Sequence, residues 1–388
     1  MIRTLQPLEA VIHIGPHKTG STSIETALII NQRIRRALEQ DGYAVPDQFP
    51  GIFPIHSAKN PANLANELRQ PGPADGATWR WVAAYANHSF ASGKNLLVAT
   101  ESLSTFVPAE NLEQLATMLT KDVGYAVRVV MVYWREYQRL VSLHTQVSIK
   151  EVQGNVSCYL PLVEYLERDG GVPHKLYQSL ARKFRGLGRV ELLNLHTIPN
   201  GSSLVHEFVC RHLHAPRACA ALRFGSARAT TMNDGLSRAL NAPLFDVILG
   251  AARAGGVGQI DLQKSVRIFH RFRLRGRPEL ADARRCINAA TMERLWAETK
   301  AAECFVLSRR LSVPETAALH ADFSAHASQY CSVNVDRLRH SLPTLDKAVR
   351  NAVKVGRLPT PPPLSALAEA KRELNCKRAY MESVVLRL

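Results

Sequence analysis

The residues best placed to do chemistry lie near the start of the chain, in Val11-Ile-His-Ile-Gly-Pro-His-Lys-Thr-Gly-Ser-Thr-Ser23. An apolar run that reads as a buried strand gives way to small and hydroxyl-bearing residues with one cation, Lys18. An apolar segment, Ile24 to Ile30, follows and reads as a helix. A turn of this composition points backbone N–H groups, hydroxyls and the Lys18 ammonium at one centre beside a helix N-terminus, which is the arrangement that binds a phosphate-like anion. His13 belongs to the strand and is expected in the core, whereas His17 flanks Lys18.

The loop is not a Walker A sequence. Gly15 and Gly20 have the spacing of that motif, but Ser21 stands where its Lys belongs and the cation sits inside the loop. No Ser or Thr follows a Lys in the position that ligates magnesium. A phosphosulfate suits such a loop better than a nucleoside triphosphate, because a sulfuryl group carries less charge and can move without a metal clamp.

On these residues the chain resembles the sulfotransferases that use 3′-phosphoadenosine 5′-phosphosulfate (PAPS), most of all the bacterial-type members. His17-Lys-Thr-Gly-Ser-Thr-Ser23 looks like their 5′-phosphosulfate-binding loop. The resemblance implies that His17, Lys18, Thr19, Gly20, Ser21, Thr22 and Ser23 bind the donor, with Lys18 stabilising the leaving phosphate. A second stretch, Val127-Arg-Val-Val-Met-Val-Tyr-Trp-Arg135 followed by Ser142, looks like the family's 3′-phosphate site. It implies Arg135 and Ser142 as ligands, and it departs from the family where Trp134 precedes Arg135. Arg139 could add charge, or form one solvated helical face with Arg135; Trp134 could line the nucleotide or acceptor pocket.

A third strand-like run, Asn95 to Thr100, ends in Glu101. Ligands of open parallel sheets gather outside the carboxyl ends of the strands, so Glu101 is expected at the same crevice as Lys18 and Arg135. It is the expected general base toward the acceptor. Burial would raise its pKa, while nearby Lys18 and Arg135 would lower it. The alternative is a Glu that caps the next segment or pairs with an Arg. Two further positions are carried by the resemblance alone: His56 near the acceptor, and Arg228 in a basic loop over the nucleotide.

These readings imply an α/β, P-loop-like three-layer fold, with a central parallel sheet flanked by helices, over residues 1–312. A mostly helical C-terminal extension is expected over 313–388, with a Pro-rich linker at 359–363. Helices are expected near 110–121, 160–185, 202–214 and 335–355, and a further strand at 189–195. The implied reaction is sulfuryl transfer from PAPS to a hydroxyl or amine of a small-molecule or carbohydrate acceptor, leaving 3′,5′-ADP, with no metal. A P-loop kinase-like transferase and a non-catalytic nucleotide- or polyanion-binding protein stand as alternatives.

Composition sets the outer bounds. The chain has 388 residues, 46% of them hydrophobic, and a formal charge of +16. That charge suits an anionic nucleotide and an anionic acceptor. Five Arg concentrate between Arg267 and Arg277, as a polyanion or membrane-surface patch, the mouth of an acidic-substrate site, or a solvated face. With aromatics at 7% and no recognition motif, nucleic acid is not an expected partner. No apolar run reaches the ~18 residues that would span a membrane. Only ten residues precede the first strand, so the expectation is a cytoplasmic protein; a homo-oligomer is compatible with it. The seven Cys are scattered, without a C-x-x-C pair, and are expected as reduced thiols rather than metal ligands or disulfides.

Overall fold

The computed structural model describes residues 7–15, 21–45, 62–70, 75–104, 107–141, 143–144, 156, 159–167, 176–199, 202–223, 242–261, 265, 282–327, 330–341 and 343–356. In chain order it begins with β1 (Glu9–Ile14), α1 (Ser21–Ile29), α2 (Gln32–Gln40), β2 (Tyr43–Ala44), α3 (Ala62–Leu68) and α4 (Ala77–Ala91). Next come β3 (Asn95–Ala99), a 3-10 turn (Glu101–Ser104), α5 (Ala109–Thr117, continued by a π turn at Met118–Val123) and β4 (Ala126–Tyr133). Then follow α6 (Leu162–Glu167), α7 (Leu176–Arg185), β5 (Arg189–Asn194), α8 (Leu204–Glu207, continued by a π turn at Phe208–His212) and α9 (Pro216–Arg223). The remainder is α10 (Ala242–Ala254), β6 (Arg284–Cys286), α11 (Ala289–Val306), α12 (Val313–Ala327), β7 (Cys331–Val333), α13 (Val335–Ser341) and α14 (Pro343–Gly356).

Two compact units divide this chain: residues 1–134 with 176–232, and residues 135–175 with 233–388. The boundary expected at 312 falls inside the second unit, between α11 and α12.

The first unit is built on a five-stranded sheet of order β2-β3-β1-β4-β5, with every pairing parallel. The central strands bury side chains on both faces, as their near-continuous apolar sequences require. Val11, Leu97, Val130 and Val132 pack with α1, α2, α8 and α9 through Ile24, Leu28, Leu38, Phe208 and Ala218. Ala10, Ile12 and Ile14 point the other way and are equally buried; α4 packs on β3, and α7 on β4 and β5. The expected α/β architecture is present, a central parallel sheet flanked by helices. His13 is fully buried, its ring edge-on to Phe208 at 5.2 Å, in accord with a core position.

Arg128, the one charge in the β4 run, reaches Glu9, the first residue of β1, and Glu191, the third of β5. It donates to Glu9 at 2.9 Å, to Glu191 at 3.2 Å and to the His212 carbonyl at 2.7 Å. Burial opposes its charge, but the Glu9 and Glu191 carboxylates outweigh that and hold its pKa above the ordinary value. It ties β1, β4 and β5 together at the sheet edge opposite the candidate site. At that same edge Gly188 passes against β4, where an added Cβ would lie 2.1 Å from the Val127 carbonyl oxygen. Neither backbone can give way without breaking the parallel pairing. Gly188→Ala is therefore expected to destabilise the first unit by about 3 kcal/mol or more, as a lowered urea midpoint with the ladder intact in wild type.

In the second unit, β6 pairs antiparallel with β7, and the Cys286–Cys331 disulfide joins them. A core of Val247, Ile248, Leu249, Val333, Leu338 and Val349 joins α10 to β7, α13 and α14. A second core gathers Tyr137, Leu140, Leu162, Leu295, Leu319 and Phe323 around α6, α11 and α12. Helix α12 opens on a reciprocal cap: Ser312 N–H donates to Glu315 Oε2 at 2.8 Å, and Glu315 N–H returns to Ser312 Oγ at 3.4 Å. The Ser312-Val-Pro-Glu315 spacing of that cap is visible in the sequence. The described residues of the stretch expected as a helix over 335–355 are helical, in α13 and α14.

The expectation of reduced thiols is corrected. Cys210–Cys219 and Cys286–Cys331 are disulfides, and among the described residues Cys304 is free. No described helix is long and apolar enough to cross a membrane. The Pro-rich linker at 359–363 and the Arg267–Arg277 run lie outside the described residues.

Candidate active site

The sheet brings three strand ends to one edge. From β1 the chain turns toward β2 on one side, and from β4 it leaves toward β5 on the other. Neighbouring strands whose connections diverge make a topological switch point, the usual place for a ligand crevice. The loop of Lys18 follows β1, and Trp134 and Arg135 follow β4.

Register places Glu101 on the same edge. His13 pairs with Ala99, so Glu101 begins the turn beyond β3 at the level of Gly15. Two hydrogen bonds hold that level: Thr100 N–H donates to the His13 carbonyl at 3.1 Å, and the buried Ser104 Oγ donates to the Gly15 carbonyl at 2.8 Å. The 3-10 turn that carries Glu101 is thus pinned to the last residue before the loop. Helix α1 starts at Ser21, with Ser21 and Thr22 in its first turn and Ser23 half-buried; Ile24, Ala27 and Leu28 fasten it to the sheet. Ser21, Thr22 and Glu101 are described by their backbone alone. His17, Lys18, Thr19, Gly20, His56, Ser142 and Arg228 lie outside the described residues.

The exit from β4 is fixed by Tyr177 of α7. Its hydroxyl donates to the Trp134 carbonyl at 2.8 Å and accepts from the Trp134 N–H at 3.1 Å, while its ring meets Tyr133 edge-on at 4.6 Å. Both backbone groups of the half-buried Trp134 are satisfied by one side chain. Nothing in the sequence marks Tyr177 for this; it reads as one more apolar position of an amphipathic helix.

Arg135 opens the second unit, and there its guanidinium meets two carboxylates, Glu303 at 2.7 Å and Asp322 at 2.8 Å. Tyr137 also donates to Asp322, and Gln138 does so at 3.3 Å. Burial disfavours the Arg135 charge, but Glu303 more than offsets it and its pKa is raised. Burial likewise pushes Asp322 up, and the Tyr137 and Arg135 contacts reverse this and leave it lowered. Arg139 is not on a solvated face. It is fully buried and bidentate on Glu136, with Nε to Oε2 at 2.9 Å.

Glu303 is itself buried. Arg135→Met would leave that carboxylate without its guanidinium, at a cost of about 3 kcal/mol or more to the second unit. The expected result is a lowered denaturation midpoint, restored in large part by Arg135→Met/Glu303→Leu. A stable single variant would show that Arg135 is not an anchor of the fold.

Compared with known proteins, the chain matches no family model, no curated protein and no solved structure.

Proposed function

We propose that the chain is a PAPS-dependent sulfotransferase acting on a hydroxyl or amine of a small-molecule or carbohydrate acceptor. The observation that carries this reading is the shared level of two strand ends: the Lys18 loop leaves β1 at Gly15, and Ser104 bonds that residue to the turn carrying Glu101. A loop between a strand end and a helix N-terminus, level with the backbone turn that carries Glu101, supports a reading of anion binding next to a base.

In the proposed reaction Glu101 takes the acceptor proton and the acceptor oxygen or nitrogen attacks sulfur in line. The new bond to sulfur forms as the sulfur–oxygen bond to the 5′-phosphate breaks, and 3′,5′-ADP leaves with the negative charge. Lys18 and the loop N–H groups stabilise that charge, each such contact contributing about 3–4 kcal/mol to the barrier. Ser21, Thr22 and Thr19 hold the phosphate oxygens. Arg135 is left out of the donor site here, since Glu303 and Asp322 already neutralise it.

Calorimetric titration with 3′,5′-ADP, against ATP plus magnesium, tests the proposal on wild type and Lys18→Ala. Metal-independent binding of 3′,5′-ADP that weakens in the variant is the expected outcome. Preference for magnesium-ATP would favour a kinase-like transferase. Binding of 3′,5′-ADP without sulfuryl transfer to any acceptor would favour a non-catalytic nucleotide-binding protein.

A further inference from the structure

Three groups converge in the first unit: His206 and Cys210 on α8 and Cys219 on α9. One ring nitrogen of His206 and the two Sγ atoms all lie within 4.8 Å of one another, and each residue is partly exposed. The local fold explains the convergence. His206 and Cys210 are four apart on one helical face, and the π turn at Phe208–His212 widens the helix there, a distortion that recurs at functional sites. His214 then turns the chain in the left-handed region (φ 53°), and α9 brings Cys219 back against α8 with the Cys210 and Cys219 Cα atoms 5.0 Å apart.

The groups behind His206 fix which of its nitrogens is a ligand. Ser202 Oγ donates its only proton to Glu207 Oε1 at 2.8 Å, so toward His206 Nδ1, 3.0 Å away, it accepts. Nδ1 therefore carries the ring proton and Nε2 presents a lone pair toward Cys219 Sγ, 3.9 Å distant. Glu207 is buried and held by Arg211 at 2.9 Å, which keeps the relay in place. A carboxylate acting through a hydroxyl on the far nitrogen of a His is the support that metal-ligating imidazoles receive.

We propose that His206, Cys210 and Cys219 form a binding site for a thiophilic divalent cation of the zinc class, closed by the Cys210–Cys219 disulfide and opened by reduction. A dithiol reductant attacks one of the sulfurs, supplies both electrons through a mixed disulfide and leaves as its own disulfide, yielding the Cys210 and Cys219 thiols. The cation displaces the two thiol protons and is held by two thiolates and Nε2, with one position left for water. The site is independent of the proposed sulfuryl transfer, because none of its residues lies at the strand ends.

The probe is Co2+, which absorbs through thiolate-to-metal charge transfer. The full chain, reduced by dithiothreitol and then freed of it, is expected to take up Co2+ with this absorption and to release it to Zn2+. The oxidised chain should show none. Cys219→Ser should abolish the band, and Cys286→Ser should retain it. His206→Ala and Ser202→Ala keep both sulfurs and the disulfide, so they test the site even if the Cys variant misfolds. Each is expected to weaken Co2+ binding about tenfold or more. A reduced wild type without the charge-transfer band overturns the proposal and leaves a structural disulfide beside a histidine. So does a band of equal strength in His206→Ala and Cys219→Ser.

Discussion

Glu101→Gln is expected to lower sulfuryl transfer by about 10²–10⁴-fold while leaving 3′,5′-ADP affinity close to that of wild type. A general base acts on the acceptor proton and contributes nothing to holding the nucleotide, so the loss belongs in kcat. Lys18→Ala is expected to do the reverse in part, losing both nucleotide affinity and rate, because in the proposed reaction it stabilises the charge that the departing phosphate acquires. The reason for expecting the two to act on one reaction is that the Ser104–Gly15 bond holds the turn of Glu101 to the last residue before the Lys18 loop. If Glu101→Gln lowers the unfolding midpoint and leaves turnover unchanged, Glu101 is a structural cap.

The second large effect concerns stability against pH. Asp246 of α10 is buried, accepting from the Tyr159 hydroxyl and from the Val333 N–H at 2.9 Å. Burial pushes its pKa up to about 7, against the pull of those two hydrogen bonds and with a small push from Glu164. The unfolded chain releases this proton near pH 3.8. Between those values the folded state holds more protons than the unfolded one, so this group's contribution to stability falls as pH rises from about 4 to about 7. Asp246→Asn cannot ionise. Relative to wild type it is expected to gain about 4 kcal/mol between those limits, read from urea midpoints across the pH range. A constant difference would mean that the carboxyl ionises in the folded state as it does in solution.

His144 tilts the same unit the other way. Its Nε2–H donates to the Leu160 carbonyl at 2.7 Å, and burial pushes its pKa down to about 4. Its contribution is complete above pH 6.5 and is lost as the pH falls toward 4. With Tyr159 between them, ring to ring with His144 at 6.0 Å and bonded to Asp246, the two buried groups oppose each other over the same range. Asp246→Asn exposes the His144 slope.

The contrast between the two units explains what the sequence could tell. Strands β1, β3 and β4 are largely apolar runs buried on both faces, and that burial is written into consecutive residues. Strand β2, Tyr43–Ala44, is too short to carry a pattern. The strand ends were legible because a parallel sheet puts carboxyl termini on one edge whatever its loops do. The partners at those ends were not. Glu303 and Asp322 lie 168 and 187 residues beyond Arg135, and Tyr177 lies 43 beyond Trp134. Ion pairs at such separations depend on tertiary packing that no local spacing encodes. The Cys286–Cys331 disulfide is illegible for the same reason: its two cysteines are 45 residues apart, in strands of three residues each.

That last pairing makes a covalent ring. Everything from Ile287 to Tyr330, including α11, α12 and the exposed Arg309 and Arg310 between them, hangs from the Cys286–Cys331 bond. A trypsin cut at either arginine opens the ring without parting the chain, and the two pieces travel as one molecule until a reductant separates them.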